Sequence, residues 1–129
     1  MTDPRAAPVL TFANAISRGD LATALEVCHP EIEFLSVLAV SGRAYLGHDG
    51  VRQYFEDVGS AWAEWRVEVH SVEPVLDGRV EITMTMHFRG KESGAMLSEE
   101  TAHIWTLRDG LLLRNEPIRV TRGSGSGPD

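Results

Sequence analysis

The spacing of apolar residues changes once along the chain, from helical to alternating, and the change divides it into two kinds of structure. Val9, Phe12, Ala13 and Ile16 recur at the spacing of one helix face, and Gly19 after Ser17-Arg18 supplies a C-terminal stop. Asp20 is placed to cap a second helix that carries Leu21, Ala24, Leu25 and Cys28 on its apolar side. His29-Pro30 ends it, because the residue before proline avoids helical geometry. Ile32 to Val37 predicts a short strand. A third helix starts near Asp49, where the helix dipole favours an acid, and aligns Val51, Tyr54, Phe55, Val58 and Trp62.

After Ala63 the period falls to two. Trp65, Val67 and Val69 alternate with Arg66, Glu68 and His70, and Val80, Ile82, Met84, Met86 and Phe88 alternate with Arg79, Glu81, Thr83, Thr85 and His87. Asp77-Gly78 predicts the turn between these strands. A third long strand runs from about Met96 to Leu107, and Asp109-Gly110 turns it into a last strand, Leu111 to Val120. Helices first and a long antiparallel meander afterwards predict an α+β fold, in which a curved antiparallel sheet wraps three helices from the N-terminal half into a cone with an open mouth. A single domain over residues 1–122 is expected, with GSGSGPD, residues 123–129, as a flexible tail outside it.

Composition narrows the function. The net charge of −7, with Lys91 the only lysine, argues against a surface that tracks phosphates, so nucleic acid is not an expected partner. No apolar run approaches the roughly 20 residues of a membrane-spanning helix. MTDPRAAPVL is too polar for a secretory signal, and a cytoplasmic location is the expectation. The single cysteine, Cys28, rules out an internal disulfide, and its helical spacing reads as a core thiol. None of the five histidines pairs with another at a metal-binding spacing, so neither metal nor cofactor is expected.

Four segments in order carry a family resemblance: Arg18-Gly19-Asp20, His29-Pro30-Glu31-Ile32-Glu33-Phe34, Tyr45-Leu46-Gly47-His48-Asp49-Gly50 and Trp105-Thr106-Leu107-Arg108-Asp109-Gly110. Together they resemble the nuclear transport factor 2-like superfamily, of cystatin-like architecture, and its SnoaL-like branch. The resemblance implies a cone-shaped pocket but no one reaction, since the fold serves isomerases, polyketide cyclases, epoxide hydrolases, dehydratases and proteins without known chemistry. Where ketosteroid isomerases of this fold place a carboxylate base, this chain has Ser36. Where they place a tyrosine donor it has Phe12, and the second donor position falls at about His103. The acid that SnoaL-like cyclases use on the last strand falls near Pro117, with Glu116 one residue away and on the opposite parity unless a bulge intervenes.

His103 shares the inward parity of Thr101, Trp105 and Leu107, and an imidazole near pKa 6.5 exchanges protons at physiological pH, which makes it the candidate catalytic acid–base group. Asn115 has the inward parity of the last strand, with Leu113, and can orient a ligand carbonyl. Glu99 and Glu100 are adjacent and point to opposite faces, so they form no catalytic pair. His48 belongs to the Gly-His-Asp turn, where its ring can bond backbone at the helix start as well as meet a ligand. The expected pocket lining is Phe12, Phe34, Ser36, Tyr45, His48, Tyr54, Phe55, Trp62, Met84, Trp105 and Asn115, which suits a small, mostly apolar molecule. On the outer sheet face Thr83, Thr85, Ala102, Ile104 and Thr106 make a weakly charged surface suited to a homodimer. Three readings stay open: an isomerase, cyclase or hydrolase-type enzyme using His103, a non-catalytic small-ligand-binding protein, and a dimerising accessory protein.

Overall fold

The computed structural model describes residues 4–35 and 44–122, with the side chains of 119–122 left aside. Helix α1 (Ala6–Arg18) buries Val9, Phe12, Ala13 and Ile16, the apolar stripe seen in the sequence. Helix α2 (Leu21–Glu26) begins at Asp20, whose carboxylate accepts from the Thr23 N–H at 3.2 Å and the Thr23 hydroxyl at 2.7 Å. These bonds hold the Asp20 carboxyl below its ordinary value.

The helix stops earlier than its apolar spacing suggests. Cys28 is not its last apolar residue but the first residue of β1 (Cys28–Phe34). The cause is tertiary: the Leu112 N–H donates to the Val27 carbonyl at 2.8 Å and draws the chain into the sheet before Pro30 is reached. The part of the expected strand beyond Leu35 lies outside the described residues.

Strand β2 (Tyr45–Leu46) leads into α3 (Gly47–Ala61), followed by β3 (Trp62–Pro74), β4 (Val80–Gly90), β5 (Met96–Arg108) and β6 (Leu111–Arg122). They form one six-stranded sheet in the order β2-β1-β6-β5-β4-β3. The sheet is mixed rather than wholly antiparallel, because β1 runs parallel to β6. A parallel pair needs a long crossover, and here α3 and four strands, β2 to β5, intervene between its members. Asp109 and Gly110 both take positive φ, 54° and 77°, the geometry that closes a two-residue hairpin between β5 and β6.

Two register shifts in the β5–β6 pair position the interior. One leaves Leu113 unpaired between the pairs Leu107–Leu112 and Thr106–Arg114, so Leu112, not Leu113, is buried together with Asn115. The other leaves Ile118 unpaired between Pro117, opposite His103, and Arg119, opposite Ala102. It falls after Glu116, which pairs with Ile104 on the outer parity.

Helix α1 is fastened to the free edge of β3 by one side chain. The Ser17 hydroxyl accepts from the Val67 N–H at 2.7 Å and donates to the Val67 carbonyl at 3.3 Å. Between helices and sheet lies an aromatic core. Phe34 stacks on Trp105 at 5.9 Å, Phe12 meets both edge-on, and Tyr54 meets Phe34 at 4.7 Å. Each such pair adds about 0.5–1.5 kcal/mol beyond the area it buries.

Candidate functional site

Alternation along β4 and β5 turns Ile82, Met84 and Met86, and His103 and Trp105, toward the helices, where α1 supplies Val9, Phe12, Ala13 and Ile16. With Phe34, Tyr54, Val67 and Asn115 these residues enclose a cavity of about 30 Å³. That volume holds about one water molecule. The walls are apolar except for His103, Asn115 and the Tyr54 phenol, and none of the wall residues is an acid.

The two polar wall residues of the sheet are coupled. Asn115 Oδ1 accepts from the Leu35 N–H at 2.6 Å, and Asn115 Nδ2 donates to the Leu35 carbonyl at 2.8 Å. These backbone partners fix which end of the amide is oxygen, since an N–H can be met only by an acceptor. The same Nδ2 then donates to His103 Nδ1 at 3.0 Å. A ring nitrogen that accepts cannot carry the proton, so His103 is the Nε2–H tautomer. Its Nε2 is buried and has no hydrogen-bond partner among the described residues.

Burial pushes the His103 pKa down to about 4, far from the neutral range expected of an exposed imidazole. The ring is neutral at pH 7. An orphaned N–H donor in an apolar cavity costs about 1–3 kcal/mol, which an incoming acceptor recovers. Thr101, two residues earlier on the same face of β5, is likewise buried, and its hydroxyl has no partner among the described residues. It lies outside the cavity wall.

Of the expected lining, Phe12, Phe34, Tyr54, Met84, Trp105 and Asn115 come together around this space, with His103, the candidate acid–base group, beside them. Ser36 lies outside the described residues. Tyr45 turns away, its hydroxyl donating to Asp57 Oδ2 at 2.8 Å; burial and this bond push its pKa up to about 12. His48 donates from Nε2 to the Cys28 carbonyl at 2.9 Å, which ties the start of α3 to β1 and leaves the cavity. Cys28 itself is buried, and burial pushes its thiol up to about 12, far from the range of a reactive thiolate. Phe55 and Trp62 line a separate open cleft of about 430 Å³ between the C-terminal end of α1, the second half of α3 and the start of β3. Glu99 is buried on the inward face and Glu100 exposed on the other.

The wall residues outside the expected lining are Val9, Ala13, Ile16, Val67, Ile82 and Met86. Their signal was present: each continues the helix stripe or strand parity of Phe12 or Met84, or faces them from β3. Among the described residues no group of three or more His, Cys, Asp or Glu side chains could hold a metal ion, and no helix is long and apolar enough to cross a membrane.

Residues 9–115 match the family described as SnoaL-like domain. No curated protein sequence matches the chain significantly. Among solved structures, TerC co-crystallized with polyporic acid is 23% identical with a TM-score of 0.78, over 90% of this chain and 91% of that one. An NTF2-like protein of unknown function from Burkholderia pseudomallei is 20% identical with a TM-score of 0.79, over 91% of each chain. A Mycobacterium tuberculosis protein in complex with estradiol-17beta-hemisuccinate is 13% identical with a TM-score of 0.75, over 90% of this chain and 93% of that one.

Proposed function

Because this chain belongs to the SnoaL-like domain family, we propose that its cavity binds a small, mostly apolar molecule through one oxygen acceptor, held by His103 as a neutral Nε2–H donor. The observation that carries this reading is the Asn115 bond to His103 Nδ1, which leaves the buried Nε2–H without a partner among the described residues. That similar folds were crystallised with polyporic acid and with estradiol-17beta-hemisuccinate supports a small-ligand pocket here. A cavity of about 30 Å³ must widen to take such a ligand, and the unbranched side chains of Met84 and Met86 are the wall groups best able to repack.

Binding is the primary role in this reading. A neutral imidazole whose conjugate acid has a pKa of about 4 is a weak base whose protonated form is scarce at pH 7, and no acid in the described wall backs it. If the site turns over a substrate, it does so as an isomerase, cyclase or hydrolase in which the N–H polarises a carbonyl, the role a neutral histidine can fill in an apolar site. The same reading has two chains associate through the outer sheet face. There Ala102 is buried, and the hydroxyls of Thr83 and Thr85 are already bonded to Ser71 and His70, each at 2.6 Å, which lowers the cost of covering them.

Calorimetric titration with a naphthoquinone and with naphthalene tests the binding role. His103→Phe should weaken the quinone about tenfold and spare the hydrocarbon. Equal loss of both, or loss of neither, contradicts it.

A further inference from the structure

We propose that the open cleft beside the interior cavity is a separate binding site for a flat, apolar monoanion, an aromatic carboxylate or sulfonate. Its volume of about 430 Å³ falls in the usual range of small-molecule sites, whereas the interior holds about 30 Å³. Phe55, Val58, Trp62 and Trp65, all partly buried, give one part of its mixed wall an apolar surface with rings for stacking.

Arg18 and Arg66, both exposed, stand in the same wall. The Arg18 contact to Asp20 is 3.4 Å long at the surface, an ion pair of little worth that exchanges readily. The single acid in the cleft wall, Glu64, is already paired with Arg89. In a chain of net charge −7 the cleft therefore offers two guanidinium groups and no unpaired carboxylate in its lining. The planar fork of arginine suits a carboxylate or sulfonate. Ile16 and Tyr54 line both spaces, while the rings of Phe55, Trp62 and Trp65 and both arginines belong to the cleft alone, so the proposal does not rest on the interior site.

Fluorescence titration with anilinonaphthalene sulfonate and with its uncharged parent, phenylnaphthylamine, tests the proposal. Wild type should bind the sulfonate more tightly than the amine. Combined Arg18→Gln and Arg66→Gln, at exposed positions that leave the fold intact, should weaken the sulfonate about fivefold and change the amine less than about twofold. At Gly59, also in the cleft wall, a Cβ meets nothing within 4 Å, so a side chain can start there without a clash, and Gly59→Trp, placing an indole at the cleft, should abolish binding of both probes. The proposal is overturned if the arginine variant binds the sulfonate as wild type does, if it loses both probes in parallel, or if a folded Gly59→Trp variant still binds either one.

Discussion

Asn115 holds His103 in one tautomer: its Nδ2 lies 3.0 Å from His103 Nδ1, and its own amide is oriented by both backbone groups of Leu35. The relationship links the end of β1 to β6 and β5 and converts a titratable ring into a fixed donor. Several consequences can be measured.

The first is a pH dependence of stability. Unfolded, His103 titrates near 6.5; folded, burial holds it at about 4. Between those values the unfolded chain binds the extra proton, so stability rises with pH. The contribution is fully present above pH 6.5, is lost as pH falls toward 4, and is flat below. It amounts to about 3 kcal/mol. Urea unfolding of wild type and His103→Phe across this range should show the slope in the first and its loss in the second. The carboxylates with lowered values, Asp20 and Glu68, act at lower pH and are common to both proteins.

Asn115→Ala strips the Leu35 N–H and carbonyl of their partners and should cost about 3 kcal/mol in urea unfolding. Asn115→Asp is more informative. Its ionised carboxylate still accepts from Leu35 but cannot donate to His103, so the ring proton moves to Nδ1 and the His103 pKa rises above its present value of about 4. Quinone affinity should then fall as it does for His103→Phe, with the hydrocarbon unaffected.

Much of this arrangement was legible in the chain, and what was not has identifiable causes. The inward parity of His103 and Trp105 followed from alternation, because a long strand buried on one face leaves no freedom of register. The placement of Asn115 beside Leu112 depended on the bulge at Leu113, a site with no glycine or proline to announce it. The Asn115–Leu35 bonds span 80 positions and carry no local signal. Cys28 satisfied both the helix spacing from Leu21 and the strand that follows, and the bond from Leu112 to Val27 decided between them. His48 and Tyr45 carried polar groups that local partners, the Cys28 carbonyl and Asp57, claimed before any ligand.

Two glycines of α3 should respond in opposite directions. A Cβ at Gly50 would stand 2.5 Å from the Tyr45 carbonyl carbon, backbone that cannot yield without moving β2. Gly50→Ala should cost about 3 kcal/mol. At Gly59, where space is open, Gly59→Ala should gain about 0.5–1 kcal/mol from helix propensity. Thermal unfolding of the two variants checks the contrast.

The outer face predicts a homodimer. Sedimentation velocity at micromolar concentration should give the mass of two chains, and Ile104→Glu, which sets a third acid between its cross-strand neighbours Glu81 and Glu116, should give one. A wild-type monomer contradicts the dimer and leaves the cavity account intact.

The most direct test of the account is nitrogen-detected NMR of the His103 imidazole as pH is lowered from 7. The bonds from Leu35 through Asn115 predict a neutral ring protonated at Nε2, unchanged until pH approaches about 4, with the Nε2–H resonance shifting downfield when a quinone is added. A ring protonated at Nδ1, or one that titrates near 6.5, would contradict it.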